Sequence, residues 1–378
     1  MHVASNNSTG APYAIDPLRA LPAEAYRKPA HLFEVDGVWR NGWVFVATSD
    51  EVVEPGDFVA VDLGGQPVIV LRNQDGELAA LSNMCAHRGT LLVEGSGNTK
   101  RFQCPYHAWT YRDDGSLLSV PHASRDDVNR DQHCLPQFRC EEWQGLVFVS
   151  MNSEVESLEE RFAHLDKIAQ EAKLGELHHW TSERDTEEWN ANWKLVVSNA
   201  MESYHLFKVH PETLEPFTPT AGAYYIVGNA DGTATGGVST QDGGDYTLLS
   251  LPPNFVGVVT DESLLWQAVF PISAERTLVV SGGAFKHESP GNQSGLAKWS
   301  SKAAAKAVES LTPDFLPEDK AICERGQLAA SGDYVPGVLV PMEQVLVDFH
   351  HYLNRQLHGA EVPGVRTSAQ VGIAKPTD

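Results

Sequence analysis

Cys85-Ala86-His87-Arg88-Gly89 and Cys104-Pro105-Tyr106-His107-Ala108-Trp109 are the two stretches on which the fold of this 378-residue chain turns. Each supplies one thiol and one imidazole, in the pattern Cys-x-His in the first and Cys-x-x-His in the second. Two neighbouring loops of this kind can close on one metal centre. Two soft thiolates and two neutral imidazoles suit either zinc or an iron–sulfur cluster. A zinc finger more often pairs Cys with Cys and His with His, whereas each half here mixes them.

Around these loops, from about Trp43 to Val149, the chain reads as short β segments broken by turns. Phe58-Val59-Ala60-Val61 and Pro67-Val68-Ile69-Val70-Leu71 flank Gly64-Gly65, a hairpin signal, and Asp114-Gly115 is a second turn. The period then changes. Val155, Leu158, Phe162, Leu165, Ile168 and Ala172 recur at three- and four-residue steps, which predicts an amphipathic helix. Longer strands are expected over 221–227, 264–270 and 277–285, and helices over 317–330 and 342–357. A small antiparallel β module therefore accompanies an α+β domain of strands followed by helices.

Twenty-eight Lys and Arg stand against fifty Asp and Glu, a net charge of −22, which argues against nucleic acid or an anionic membrane as partner. The stretch 1–28 has no apolar signal core and no run approaches membrane-spanning length, so the expected compartment is the cytoplasm. Five cysteines are too few for a disulfide scaffold. Cys134, Cys140 and Cys323, outside the metal pattern, are expected to be reduced, buried thiols.

A second constellation lies in Asn192-Trp193-Lys194-Leu195-Val196-Val197-Ser198-Asn199-Ala200-Met201-Glu202-Ser203-Tyr204-His205-Leu206-Phe207-Lys208-Val209-His210-Pro211. Glu202 and His205, three apart, would share one helical face. On an unbroken helix His210 would point elsewhere. Pro211 predicts that the helix ends or bends there, letting both imidazoles converge. Two His and one carboxylate form the facial triad of non-haem Fe(II) oxygenases, which leaves positions open for O₂ and substrate. The bland alternative is two ordinary polar histidines on a helix.

Together these motifs resemble the catalytic subunits of Rieske-type non-haem iron oxygenases. Arg88-Gly89, Pro105-Tyr106 and Trp109 match the Rieske fingerprint, which implies a [2Fe–2S] cluster held by Cys85, His87, Cys104 and His107. The respiratory-chain type carries an extra cysteine in each loop, and those places are Thr90 and Tyr106 here. The resemblance extends to His205 and His210 as ligands of a mononuclear Fe(II). Its third ligand comes from Glu318-Asp319, which matches the family's Glu-Asp-x-x-x-x-Glu-x-x-Gln helix and selects Asp319; Glu318 and Asp314 remain alternatives.

The family's acid at position 202, more often Asp, links a cluster histidine of one subunit to an iron-ligating histidine of the next. Glu202 departs from that pattern as relatives acting on quaternary ammonium compounds do. Asn199 is expected beside the iron. The resemblance implies a small antiparallel Rieske domain at 43–150. It also implies a helix-flanked antiparallel-sheet catalytic domain formed by 1–42 and 151–378, and a head-to-tail homotrimer. It further implies O₂-dependent hydroxylation or oxidative demethylation of a small molecule, fed by a separate NAD(P)H-dependent reductase with flavin and/or ferredoxin centres. A quaternary amine of the betaine or carnitine kind is the favoured substrate, with an aromatic acid or ether as the alternative and a non-catalytic electron-transfer protein as a lesser one. Tyr224, Tyr225, Tyr246, Phe255, Trp266 and Phe270 are the candidate pocket aromatics.

Overall fold

Short apolar runs separated by glycine turns flank the two cysteine–histidine loops, and they pair as antiparallel strands. The computed structural model describes residues 13–124, 126–179, 185–240, 244–260, 263–286 and 315–375. In chain order the first strands are β1 (Val44–Thr48), β2 (Asp57–Asp62), β3 (Pro67–Arg72), β4 (Leu78–Ser82), β5 (Ser96–Asn98), β6 (Phe102–Gln103), β7 (Thr110–Tyr111), β8 (Leu117–Ser119), β9 (Gln137–Trp143) and β10 (Leu146–Ser150). Seven of them form one sheet in the order β1-β10-β9-β4-β3-β2-β5, and β6, β7 and β8 form a ribbon. Gly64 and Gly65 close the β2–β3 hairpin at φ +60° and +84°, a left-handed backbone that a Cβ disfavours. The first metal-type loop follows β4; the second joins β6 to β7.

The second sheet is built from β11 (Leu177–His179), β12 (Asp185–Trp189), β13 (Tyr224–Asn229), β14 (Gly232–Val238), β15 (Asp245–Leu251), β16 (Phe255–Val259), β17 (Ser263–Ser273), β18 (Arg276–Lys286) and β19 (Arg366–Thr367). Its path is β11-β18-β17-β16-β15-β14-β13-β19, with β12 also pairing with β18. Strands β14 to β16 are not evident from the sequence pattern, and β14 shows why. Its Gly236 and Gly237 lie under tyrosine rings: an added Cβ would stand 2.4 Å from Tyr224 and 2.2 Å from Tyr246. Packing, rather than strand propensity, places glycine there.

Helices α1 (Lys28–Glu34), α2 (Leu158–Phe162), α3 (Asp166–Glu171), α4 (Trp193–Met201), α5 (Leu206–Val209), α6 (Leu316–Ala329) and α7 (Gln344–His358) flank this sheet or join the two. The helix expected over 155–172 is instead α2 and α3 separated by a 3-10 turn at Ala163–Leu165. Its apolar stripe survives the break, since Val155, Leu158, Phe162 and Leu165 are buried and Ile168 and Ala172 are partly buried against the same core. Among the described residues no helix is long and apolar enough to cross a membrane.

One apolar core runs through both sheets. Phe45 of β1 packs on Phe148 at 5.8 Å, Phe255 at 4.7 Å and Trp266 at 5.2 Å between ring centroids. The side chain of Asn254 accepts the Phe45 N–H (3.0 Å) and donates to the Phe45 carbonyl (2.9 Å), pairing an edge strand that would otherwise bury free backbone groups. Phe255 and Trp266 are thus core residues joining the sheets, not pocket aromatics, and Phe270 is buried in the same core.

Candidate active site

The two loops are built alike. Cys85 N–H donates to the Thr90 carbonyl (2.9 Å) and Gly89 N–H to the Cys85 carbonyl (2.9 Å); Cys104 N–H donates to Trp109 (2.8 Å) and Ala108 N–H to Cys104 (3.0 Å). In each loop the fourth residue after the cysteine turns left-handed, Gly89 at φ +74° and Ala108 at φ +56°. The shared clasp turns both thiols inward, leaving Cys85 and Cys104 at 2% and 3% exposure. His87 and His107 stay at the surface, their rings 4.9 Å apart. Trp109 stacks on His87 at 4.7 Å and Tyr106 on His107 at 3.8 Å, which fixes both imidazole planes.

Tyr111 Oη lies 3.2 Å from Cys85 Sγ and accepts the Ala86 N–H at 3.0 Å. Burial, with the neighbouring Cys104 thiol, pushes the Cys85 thiol upward against the lowering effect of Tyr111. Such a thiol needs a metal to remain ionised. Two adjoining buried thiols, unpaired as a disulfide, beside two surface imidazoles fit a [2Fe–2S] cluster of mixed ligation. Outside this site Cys323 is buried, Cys140 is partly buried and Cys134 is exposed. The expectation of three buried thiols therefore fails at Cys134, which follows a surface 3-10 turn at Arg130–His133.

The second site forms where α4 stops. Glu202 leaves the helix with extended backbone (φ −121°, ψ 157°), and a new short helix, α5, starts after His205. Glu202 and His205 therefore do not share a continuous helical face. The cause is local: one Glu202 carboxylate oxygen accepts the backbone N–H groups of Tyr204 and His205, which competes with helix continuation. Its other oxygen lies 2.7 Å from His205 Nδ1. His210, the residue that ends α5, is fully buried and meets α6.

Asp319 Oδ1 stands 2.9 Å from His210 Nε2 and 3.5 Å from His205 Nε2. Donor atoms of all three residues lie within 4.8 Å of one another, the group among the described residues able to hold a metal ion. Two ligands bound at about 2.1 Å and at a right angle on one ion would stand roughly 3 Å apart, so the spacing fits. Asn199 Nδ2 donates to the same Asp319 oxygen at 2.6 Å.

Glu318, an alternative ligand in the sequence, points elsewhere: it sits 2.8 Å from His210 Nδ1 and accepts the Thr213 hydroxyl. Each imidazole thus has a carboxylate on Nδ1, Glu202 for His205 and Glu318 for His210, which turns Nε2 toward Asp319. Burial raises the Asp319 carboxyl, but His205, His210 and Asn199 outweigh it and hold it at about 2. Burial lowers His205, yet Asp319 and Glu202 lift it to about 9. Asp314 lies outside the described residues.

A small cleft opens beside Glu202, lined by Met201, Tyr224, Tyr225, Met342 and Val345 among others. Of the candidate aromatics only Tyr224 and Tyr225 reach it, and the Tyr225 hydroxyl is committed to Asp348 at 2.7 Å. The Glu318 and Thr213 contacts carry no sequence signal of their own beyond the acidic pair Glu318-Asp319. They follow from the approach of α6 to the end of α5.

A family model for the Rieske [2Fe-2S] domain matches residues 42–139, and one for the ring hydroxylating alpha subunit (catalytic domain) matches residues 172–359. The carnitine monooxygenase oxygenase subunit of Escherichia coli is 33% identical over 203 residues, 51% of this chain and 54% of that protein. The glycine betaine monooxygenase oxygenase subunit of Chromohalobacter salexigens is 31% identical over 197 residues, covering 52% and 44%. The anthranilate 1,2-dioxygenase large subunit of Acinetobacter baylyi is 34% identical over 185 residues, covering 47% and 39%. The chain spans about half the length of the curated relatives it matches.

Among solved structures, a quaternary ammonium Rieske monooxygenase in complex with L-carnitine superposes with a TM-score of 0.75 at 23% identity, over 91% of this chain and 97% of that one. Naphthalene 1,2-dioxygenase from Rhodococcus superposes at 0.73 with 20% identity, over 90% and 95%. At these identities the two structures establish the fold.

Proposed function

We propose, for a chain that belongs to the Rieske-type non-haem iron oxygenases through its Rieske and ring-hydroxylating alpha-subunit domains, that it is the terminal oxygenase of a system fed by a separate NAD(P)H-dependent reductase. The observation that carries this reading is the convergence of His205, His210 and Asp319, each imidazole braced from behind by a carboxylate. Residues 43–150 form the Rieske domain in this reading, and 1–42 with 151–378 the catalytic domain. The cluster on Cys85, His87, Cys104 and His107 would supply single electrons, and iron on the triad would supply reductive activation of O₂ for hydroxylation or oxidative demethylation.

The chain's own residues do the rest. Glu202 holds a proton on His205 Nδ1, so that Nε2 presents a lone pair to the metal. Glu318 does the same for His210. Asn199 donates to Asp319 and orients its carboxylate. Burial of His210 and Asp319 keeps bulk water from that side of the triad. The surface histidines His87 and His107, with Tyr106 55% exposed, would face Glu202 of a second subunit in a head-to-tail homotrimer.

For substrate, Glu202 in place of Asp and the relatives named for carnitine and glycine betaine favour a quaternary amine. The relative named for anthranilate supports an aromatic acid as the second reading. The test is a reductase-coupled screen of carnitine, γ-butyrobetaine, glycine betaine and anthranilate, following O₂ uptake, product and formaldehyde. Coupled uptake with a quaternary amine is expected. Coupling to anthranilate alone would replace the substrate assignment, and uncoupled behaviour with all substrate classes would overturn the oxygenase reading.

A further inference from the structure

The function proposed above makes no use of Glu324 or Gln327, although they complete the motif that begins at Glu318-Asp319. On α6, Asp319, Cys323 and Gln327 recur at four-residue steps and so lie along one face. That face runs along α4 in reverse order. Asp319 accepts from Asn199 at 2.6 Å, the Cys323 thiol approaches the Leu195 carbonyl at 3.7 Å, and Gln327 Oε1 accepts the backbone N–H of Asn192 at 2.9 Å. Glu324, beside this stripe, accepts the backbone N–H of Asn190 at 2.9 Å and its side-chain amide at 3.1 Å. Asn192 is the residue capping the start of α4, so its own N–H has no partner within that helix.

We infer that Glu324 and Gln327 are positioning residues that fix the register of α6 on α4, and thereby the separation of Asp319 from His205 and His210. The inference rests on the iron-site reading and adds a device that holds it. The contact from the Cys323 thiol to the Leu195 carbonyl holds the register only weakly, because a thiol is a poor donor and stands at 3.7 Å. The Gln327 and Glu324 oxygens, which accept from backbone N–H groups, hold it firmly. A slip of one residue moves a helix by about 1.5 Å and turns it by roughly 100°, which takes Gln327 and Glu324 off their donors and Asp319 off both imidazoles. Gln327 Nε2 also reaches the Tyr26 carbonyl at 3.4 Å, so the same side chain ties the N-terminal segment to this junction.

The test is equilibrium dialysis of cluster-loaded, iron-depleted protein against Co(II), with cluster absorbance per chain as the measure of folding. Gln327→Met is expected to weaken Co(II) binding about tenfold with cluster absorbance unchanged, whereas Gln327→Glu, which keeps the acceptor and gives up only the long contact to Tyr26, is expected to weaken it less. Glu324→Met, which removes hydrogen bonds that are exposed to solvent, is expected to weaken binding by roughly threefold. Wild-type Co(II) affinity in both Met variants, or equal weakening by Gln327→Glu and Gln327→Met, overturns the inference. Should Gln327→Met yield no cluster-loaded protein, Glu324→Met decides by the same criterion. His210→Ala is measured alongside. Retained Co(II) binding there defeats the iron-site reading itself, while loss there with unaffected Met variants defeats the register role alone.

Discussion

Asp319 and Glu318 are adjacent in sequence, yet their carboxylates address opposite nitrogens of the same imidazole. Consequently their substitutions separate. Asp319→Ala should abolish Fe(II) retention, while Glu318→Gln should retain iron with affinity lowered about tenfold, as read by metal analysis after dialysis; equal losses would mean that both carboxylates ligate. At the cluster, the Tyr111 hydroxyl donates to the Cys85 sulfur once that sulfur is a metal-bound thiolate. A donor to sulfur stabilises the more negative, reduced cluster. Tyr111→Phe is therefore expected to lower the reduction potential by about 60 mV, the equivalent of one hydrogen bond of roughly 1.4 kcal/mol. Redox titration of the cluster spectrum checks this, and an unchanged potential would show that the hydroxyl does not act on the sulfur.

At the scale of elements, breaks matter as much as helices. The interruption at Glu202 brings His205 and His210 to face Asp319, and residues packed behind it hold it in place. Tyr246, with its ring over Gly237, reaches the Ser203 hydroxyl next to Glu202. A methyl at 237 would stand 2.2 Å from the Tyr246 ring, which is 8% exposed and would have to shift. Gly237→Ala should destabilise the protein by about 1–3 kcal/mol in urea unfolding, and Tyr246→Ala in the same chain should recover part of that loss. Additive losses would mean that the ring is not what confines position 237.

For the whole molecule, the segment before β1 is tied to the catalytic helices by buried polar groups. Glu34, fully buried, accepts from Tyr13 (2.7 Å), Trp193 (2.9 Å) and Lys194 (2.8 Å). His350 of α7 is buried near Asp16 and His351, and burial pulls it from 6.5 down to about 4. The unfolded chain therefore binds a proton between these values that the folded chain refuses. Stability should be unaffected by this group above pH 6.5 and fall as pH drops to 4, by on the order of 3 kcal/mol. His350→Gln should flatten that part of the profile relative to wild type, and identical slopes would remove His350 as the cause. The proposed head-to-tail assembly makes a separate prediction. Mixed oligomers of Cys104→Ser and His205→Ala chains should recover turnover that neither variant has alone, because an intact cluster then faces an intact iron site across the interface. No recovery in co-purified mixtures would place electron transfer within one chain.

The sequence determined the chemistry by residue type and spacing. Cys85, His87, Cys104 and His107 lie within two short segments, and a loop of fixed length positions its own side chains with little help from the rest of the fold. The β2–β3 hairpin, the strand at 277–285 and the helix at 317–330 were legible for the same reason, since turn residues and apolar periodicity are local signals. The tertiary structure decided everything that joins distant segments. Asp319 meets His210 across more than a hundred residues, and only the packing of α6 on α4 shows that Glu318 braces His210 at Nδ1 while its neighbour meets the Nε2 atoms of both imidazoles. Phe255 and Trp266 became core because Phe45 of the other sheet packs on them, and β14 became a strand because its glycines admit two tyrosine rings. Such outcomes depend on what lies opposite each side chain, which no local pattern records.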